Sequence, residues 1–261
     1  LHLAQPNMSR KKHTVSHSFF TPTPTPSPDK EAKCKVKPED LKHVAPLTEN
    51  QERFFNFYRS GHSALLLHGV AGSGKTYIAV YNALQEILEK QSTFRKLIIV
   101  RSAVPSRDIG HLPGDEKEKT EVYMIPYIDI CASLFPRFGD QAWGRLTEQK
   151  SVEFLITSHV RGLTLDECIV IVDEAQNMTD MELNSIMTRA GNNTKMIFCG
   201  DFRQTDLSKR NDMSGLKKFV SIVEHMNSFR IVEFGVEDIV RSALCKEYII
   251  ARMNYEDLLL Q

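Results

Sequence analysis

A single glycine-rich segment, residues 69–76, constrains the fold of this chain more than any other feature. The segment matches the pattern G-x-x-x-x-G-K-[ST] of phosphate-binding loops. Its residues are Gly69, Val70, Ala71, Gly72, Ser73, Gly74, Lys75 and Thr76. Residues 63–68 form a short apolar run that predicts a buried strand, and residues 77–90 show helical apolar spacing. The order strand, glycine loop, helix predicts a P-loop.

The residue types in this segment suit the phosphates of a nucleotide. Glycines allow backbone conformations that other residues avoid, and N–H groups at a helix start attract anions. Lys75 is predicted to contact the β- and γ-phosphates, and Thr76 to bind Mg²⁺ through its hydroxyl. Tyr77, the next residue, belongs to the predicted nucleotide-binding set. The alternative is a glycine turn that binds nothing, which the correctly placed strand and helix disfavour.

Composition favours a soluble, cytoplasmic protein. The 261 residues have zero formal net charge, so any nucleic-acid surface must be a local patch. No apolar run approaches the ~20 residues that a membrane helix needs. The five cysteines contain no C-x-x-C pair, which argues against a disulfide framework and against zinc. We expect Mg²⁺, bound together with nucleotide, to be the only metal.

The chain divides into a leader and one domain. Residues 1–45, with prolines at alternate positions from Pro22 to Pro28, are predicted to be a disordered, Thr/Pro-rich and basic leader. A solvated leader is favoured over one that contacts nucleic acid. Residues 46–261 are predicted to form the domain. The first residue is Leu1, which indicates either a true start at Met8 or a fragment of a longer protein.

Beyond the glycine loop, the pattern predicts an α/β fold. Four further strands are predicted, and helices fill much of the rest, including residues 47–58. The four strands lie at 97–101, 169–173, 196–199 and 231–234. Such apolar strands separated by helices imply a mostly parallel sheet with helices on both faces. Residues 102–161 form a long insert, which we expect to carry function or oligomer contacts.

An acidic pair, Asp173 and Glu174, follows the predicted strand at 169–173. Ligands of such sheets bind beyond the carboxyl ends of the strands. We therefore expect Asp173 to hold Mg²⁺, usually through its water, and Glu174 to polarise the attacking water. The alternative is an acidic pair that only caps a loop. The glycine loop and the neighbouring Gln176 favour the functional interpretation.

Four more side chains are candidates for the same site. Gln204 follows the strand at 196–199, where it is predicted to sense the γ-phosphate and orient water, unless it belongs to a polar turn. Arg241 and Arg161 are candidates for the cation that stabilises the transition state, although isolated arginines are often surface residues. Gln51 is predicted either to read the adenine edge or to be the capping-box partner of Thr48. The absence of N-K-x-D favours an adenine nucleotide, ATP.

Several spaced blocks together identify a family resemblance. They are GVAGSGKTYIAV at 69–80, LPGD at 112–115 with Lys117, PYID at 126–129, RGLTL at 161–165, VDEAQN at 172–177, Thr188-Arg189, Gly200-Asp201, QTDL at 204–207, SGL at 214–216 and IVR at 239–241. With these blocks the chain resembles the PhoH family of phosphate-starvation-associated P-loop ATPases. The combination is far more specific than the glycine loop alone.

The resemblance implies a RecA-like core related to superfamily 1 helicases, with ATP binding, hydrolysis and a nucleic-acid partner that is often RNA. The chain departs from the family at Ser102, where proline is usual, and at Leu163, where a second arginine is usual. The single-domain form, without a PIN nuclease domain, is expected. Helicase motors need two lobes, and this chain has room for one. We therefore expect a homo-oligomeric ring, such as a hexamer, in which Arg241 or Arg161 acts across an interface.

The leading functional hypothesis is a Mg²⁺-dependent ATPase coupled to single-stranded RNA or DNA. The alternative is a nucleotide-gated nucleic-acid-binding module, or a ring-forming adaptor, with little hydrolysis. No membrane partner is expected.

Overall fold

The computed structural model describes residues 35–102, 116–201 and 215–259. A six-stranded, all-parallel sheet forms the centre of this part of the chain. The strands are β1 (Ala64–Gly69), β2 (Lys96–Arg101), β3 (Val152–Ile156), β4 (Cys168–Asp173), β5 (Thr194–Gly200) and β6 (Phe229–Phe234). Their order is β3-β2-β4-β5-β1-β6. The predicted α/β architecture with a parallel sheet is confirmed, and β5 separates the strand before the glycine loop from the strand that ends at Asp173.

Helices pack on both faces of this sheet, as predicted. In the described residues they are α1 (Glu49–Arg59), α2 (Lys75–Leu88), α3 (Glu116–Leu134), α4 (Gln141–Glu148), α5 (Thr157–Val160), α6 (Asp180–Met187), α7 (Gly215–Val223) and α8 (Ala243–Leu259). The core on one face is built with α1 to α4, and the core on the other with α5 to α7. No helix of the described ranges is both long enough and apolar enough to cross a membrane.

The central strands supply side chains to both cores. In β1, Leu65 and Leu67 join one core, whereas Ala64 and Leu66 join the other. Successive side chains of a strand point to opposite faces, so a strand that is covered on both faces is apolar at nearly every position. This is why β1, β4 and β5 are visible in the sequence as unbroken apolar runs.

The parallel arrangement brings the carboxyl ends of the strands to one edge. At this edge β1 ends at Gly69, β4 at Asp173, β5 at Gly200 and β6 at Phe234. In open sheets of this kind the crevice beyond these ends receives the ligand. The fold therefore gathers the glycine loop and the acidic pair at the same place, although about 100 residues separate them in the chain.

The insert contains an edge strand that the sequence analysis does not predict. Among the described strands β3 pairs with β2 alone, and three of its five residues are half-buried. Glu153, its second residue, forms a 2.6 Å ion pair with Lys96. A half-buried edge strand lacks the unbroken apolar run by which the other strands are recognised. The insert is also part of the core, because Tyr127 and Leu134 of α3 are fully buried.

The folded unit begins at Lys35, eleven residues before the predicted domain boundary. Val36 is buried, and its N–H donates to Gln149 Oε1 over 2.8 Å. The N–H of Lys42 donates to the carbonyl of Leu134, also over 2.8 Å. Residues 35–45 thus belong to the domain rather than to the predicted leader, and residues 1–34 lie outside the described residues.

Candidate active site

The glycine loop is held against the end of β6. Gly69 has φ +119°, and a Cβ atom there would lie 2.1 Å from the carbonyl oxygen of Phe234. Val70 N–H donates to that same oxygen over 3.0 Å. Gly74, at the start of α2, has φ +78°, in the left-handed region where glycine is favoured. These glycines are required by close backbone approach and by backbone conformation.

Lys75 lies inside the curve of the loop. Its ammonium donates to the carbonyls of Gly69 and Val70, over 2.9 and 2.8 Å, and to Ser73 Oγ over 3.1 Å. Burial lowers the pKa of Lys75 from its usual value, an effect that the nearby carboxylates of Asp201 and Asp173 oppose. The loop therefore concentrates one positive charge where phosphate oxygens are expected.

Asp173 accepts hydrogen bonds at both carboxylate oxygens. Thr76 Oγ1 donates to Oδ1 over 2.7 Å, and the hydroxyl of Tyr127 donates to Oδ2 over 2.7 Å. Because Thr76 donates its only proton to Asp173, its lone pairs remain for a cation. A hydroxyl and a carboxylate form an all-oxygen donor set, which is the type that Mg²⁺ prefers. The two predicted metal residues therefore lie together and fit this ion.

Glu174 adopts a backbone conformation that is unusual for a residue with a side chain. Its φ of 52° and ψ of 41° lie in the left-handed region, and such residues occur preferentially at functional sites. Its carboxylate accepts a hydrogen bond from Gln176 Nε2, and Gln176 Oε1 accepts from Asp201 N–H over 3.1 Å. Burial, together with the adjacent Asp173 carboxylate, raises the pKa of Glu174. A raised pKa makes this carboxylate a stronger base.

Arg241 lies at the cavity of its own chain. The segment after β6 returns over the loop, where Val240 N–H donates to the carbonyl of Gly72 over 3.0 Å. A Cβ atom at Gly72 would lie 3.0 Å from Arg241 Cγ. The structure thus places Arg241 at the cavity of its own chain, and its action across an interface stays a prediction. Arg161 is exposed, its guanidinium is 3.8 Å from Met181 Sδ, and it does not line this cavity.

Gln51 is buried and joins α1 to the glycine loop. The predicted cap is present, because Thr48 Oγ1 accepts from Gln51 N–H over 3.3 Å. The side-chain oxygen accepts from Leu47 N–H over 2.8 Å rather than from Thr48, and the side-chain amide donates to the Ser73 carbonyl over 2.9 Å. Gln51 therefore supports the loop in this structure, and recognition of adenine by its amide stays a prediction.

A cavity of about 200 Å³ brings the predicted residues together. It is lined by parts of the glycine loop and by Lys75, Thr76, Asp173, Glu174 and Arg241. The hydroxyl of Tyr77 lies 3.3 Å from Ser133 Oγ, and Tyr77 is absent from the described lining. Gln204 lies outside the described residues. Within the described ranges, no group of three or more His, Cys, Asp or Glu side chains forms a metal cluster.

Comparison with known proteins identifies the family. A sequence model described as "PhoH-like protein" matches residues 43–253. The chain belongs to this family. The PhoH-like protein of Bacillus subtilis (strain 168) is 37% identical over 184 residues, 70% of this chain and 56% of that protein. Protein PhoH of Escherichia coli (strain K12) is 33% identical over 217 residues, 81% of this chain and 60% of that protein.

The chain thus spans about 60% of the length of these curated PhoH-like relatives. Among solved structures, the large terminase from a thermophilic bacteriophage has a TM-score of 0.45 at 14% identity, over 78% of this chain and 50% of that chain. A Pif1 helicase from Bacteroides, in complex with ADP-AlF3 and ssDNA, has a TM-score of 0.34 at 14% identity, over 73% and 42%. Both structural similarities are low. The family and the loop together imply a P-loop nucleotide-binding protein.

Several residues of this PhoH-like site are not in the predicted set, and three of them make hydrogen bonds at the acidic pair or beside it. Gln176 and Asp201 line the cavity beside Glu174, and Tyr127 holds Asp173 from the insert. Gln176 lies three residues after the predicted strand that ends at 173, and Asp201 lies two residues after the one that ends at 199. Their positions near strand ends could therefore have indicated both as site residues. For Tyr127 the sequence offered only the PYID block, because the order of elements along the chain does not indicate that α3 contacts the end of β4.

Proposed function

We propose that this PhoH-like domain binds ATP with Mg²⁺ and hydrolyses the bond between the β- and γ-phosphates. The observation that carries the proposal is the 2.7 Å contact between Thr76 Oγ1 and Asp173 Oδ1, with Lys75 and Glu174 lining the same cavity. P-loop nucleoside triphosphatases use these four groups to hold the metal and the phosphates and to position water.

Each side chain has a distinct role in this proposal. The loop amides and Lys75 bind the phosphates, and Thr76 and Asp173 hold Mg²⁺, which neutralises charge that develops on the phosphate oxygens. Glu174 accepts a proton as water attacks the γ-phosphorus, and the bond to the β-phosphate oxygen breaks. Arg241, at the same cavity, stabilises the charge of the transition state. Gln204 orients the water, and Gln51 contributes to recognition of adenine.

The wider proposal is a cytoplasmic ATPase that works on single-stranded RNA or DNA. The domain in the described residues has one parallel sheet, hence one lobe. A second copy in a homo-oligomeric ring, such as a hexamer, would supply the other lobe of a motor. Because Arg241 lines the cavity of its own chain, we propose that this arginine supplies the cation for hydrolysis and that the ring serves movement. A nucleotide-gated nucleic-acid-binding module or a ring-forming adaptor is the second candidate, and it is distinguished by turnover.

ATP turnover, with and without single-stranded RNA and DNA, tests the proposal. Glu174→Gln is expected to retain nucleotide binding and to lower kcat by about 10²- to 10⁴-fold, the usual contribution of a general base. Lys75→Ala is expected to weaken binding itself. Glu148→Gln is the matched control, because Glu148 ends α4 and is exposed.

Equal turnover by Glu174→Gln and wild type would contradict the assignment of the base. Nucleotide binding without turnover in the wild type would favour the second candidate. Absence of heat with any adenine nucleotide in calorimetry would overturn the proposal as a whole.

A further inference from the structure

Tyr127, on the insert's helix α3, donates a hydrogen bond to the first residue of the acidic pair. Its side chain is fully buried, and its hydroxyl lies 2.7 Å from Asp173 Oδ2. Asp173 Oδ1 accepts from Thr76 Oγ1 over the same distance. The carboxylate is therefore fixed by one hydroxyl from the glycine loop and by one from the insert.

The ring of Tyr127 is held independently of this hydrogen bond. Its centroid lies 5.6 Å from that of Phe154 on β3 and 6.5 Å from that of Trp143 on α4. Packing on two sides holds the ring in the core, and the hydrogen bond to Asp173 directs its hydroxyl.

Two donors leave Asp173 little rotational freedom. The last torsion of an aspartate is soft, and a single hydrogen bond leaves a carboxylate free to turn about it. With Oδ2 fixed by Tyr127, Oδ1 must face Thr76. Thr76 then directs its proton to Asp173 and its lone pairs away from it. The orientation of both predicted metal residues thus depends on the Tyr127 hydroxyl.

We propose that Tyr127 is a positioning residue, which orients Asp173 and Thr76 for the Mg²⁺ that accompanies a bound nucleotide. This inference rests on the proposed function, and it adds a role for the insert. Helix α3 carries the hydroxyl that contacts Asp173, and β3 carries Phe154, which packs on the Tyr127 ring. Outer hydrogen-bond partners of metal residues typically change metal affinity by about 10- to 100-fold when they are removed.

Tyr127→Phe tests the inference, because it removes the hydroxyl and retains the ring. ATP affinity is measured by calorimetry at increasing Mg²⁺ and, separately, with EDTA. In EDTA, affinity is expected to equal that of wild type, because the loop and Lys75 are unchanged. The Mg²⁺ concentration that gives the half-maximal increase in affinity is expected to rise by about 10- to 100-fold. These readouts measure binding and do not depend on turnover.

Two variants separate positioning from a general loss of structure. Tyr58→Phe removes another buried phenol hydroxyl, at a ring that Lys195 Nζ approaches to 3.9 Å, and is expected to leave the Mg²⁺ response unchanged. Phe154→Leu removes a ring that packs on Tyr127 but leaves its hydroxyl. This variant is expected to lower the melting temperature and to retain most of the Mg²⁺ response.

An unchanged Mg²⁺ response in Tyr127→Phe, with a normal response in wild type, would overturn the inference and leave the proposed function standing. An equal loss in Phe154→Leu would also overturn it, because packing alone would then explain the effect. Failure of wild type to bind ATP in either condition would instead overturn the proposed function, and this inference with it.

Discussion

Gln176 is the side chain whose removal should most clearly separate catalysis from nucleotide binding. It is buried, its amide donates to the Glu174 carboxylate, and its oxygen accepts from Asp201 N–H over 3.1 Å. Gln176→Met keeps the length of the side chain and removes both hydrogen bonds. Glu174 then loses a partner that holds its carboxylate in place on a left-handed backbone.

The size of the effect follows from these two bonds. Losing a hydrogen bond to a charged group costs about 1.5–3 kcal/mol, and leaving the buried Asp201 N–H unpaired costs about 1–3 kcal/mol. Burial of the apolar atoms that the methionine side chain adds offsets about 1 kcal/mol. A net loss of about 1.5–5 kcal/mol lowers the melting temperature of a domain of this size by roughly 3–20 °C. A misplaced Glu174 carboxylate is expected to lower kcat about 100-fold.

The assay is steady-state ATP turnover, with kcat and KM measured separately, beside thermal unfolding. KM is expected to change less than kcat, because Lys75 and the loop retain their contacts. Gln149→Met is the matched control, because Gln149 also makes two hydrogen bonds, both to the backbone of Val36 and away from the cavity. It is expected to lose stability and to retain kcat.

Gln176→Glu gives a second test, because it retains an oxygen for Asp201 N–H and presents a carboxylate to Glu174. Its loss of kcat is expected to match or exceed that of the methionine variant. Values of kcat within about threefold of wild type for both variants would refute the reasoning, since hydrogen bonding by Gln176 would then have no part in placing Glu174.

Two further predictions concern stability. Burial holds the pKa of His68 below its usual value, so the unfolded chain binds this proton at a higher pH than the folded chain does. The unfolding free energy should therefore fall as the pH is lowered through about 6.5. In denaturant titrations at several pH values, His68→Asn should make this dependence on pH weaker. An equal dependence on pH in the variant and wild type would contradict the prediction. Lys195, almost fully buried, pairs with Glu86 over 2.8 Å. Lys195→Met should lower the free energy of unfolding by about 3 kcal/mol, the low end for a broken buried pair, because Glu86 is partly exposed. The double variant Lys195→Met/Glu86→Leu should regain most of the lost melting temperature. No such gain would contradict a stabilising role for the pair.

Much of the fold was predictable, because a strand that is buried on both faces has a simple sequence pattern, an unbroken apolar run. The unbroken apolar runs of β1, β4 and β5 reveal the strands, and their order between helices implies a parallel sheet. The edge strand β3 lacks this pattern, because it carries Glu153 among half-buried residues. Val36 illustrates the same limit, since one buried valine among lysines gives no periodic pattern before α1.

The candidate site was predictable where its chemistry is local in the chain. Lys75 and Thr76 belong to one motif, and Asp173 and Glu174 to one strand end, so residue type and spacing were sufficient. The Tyr127 hydroxyl was not predictable, because its role depends on how α3 packs against β4, and an internal proline and an uneven apolar pattern obscure the face that α3 buries. Residue type indicates which groups can bind a phosphate, and only packing indicates which groups orient them.

The position of Arg241 changes how oligomerisation and hydrolysis are related in the proposal. A cation supplied by a neighbouring chain would make turnover depend on assembly, and the ring would then be part of the active site. Here Val240 N–H donates to the Gly72 carbonyl, so the backbone before Arg241 is fixed to the glycine loop, for which we propose phosphate binding. A glycine at position 72 is needed for this approach, since a Cβ atom there would meet Arg241 Cγ at 3.0 Å. The glycine loop and Arg241 are therefore joined within one chain, and we propose that a ring serves movement along nucleic acid rather than the chemistry.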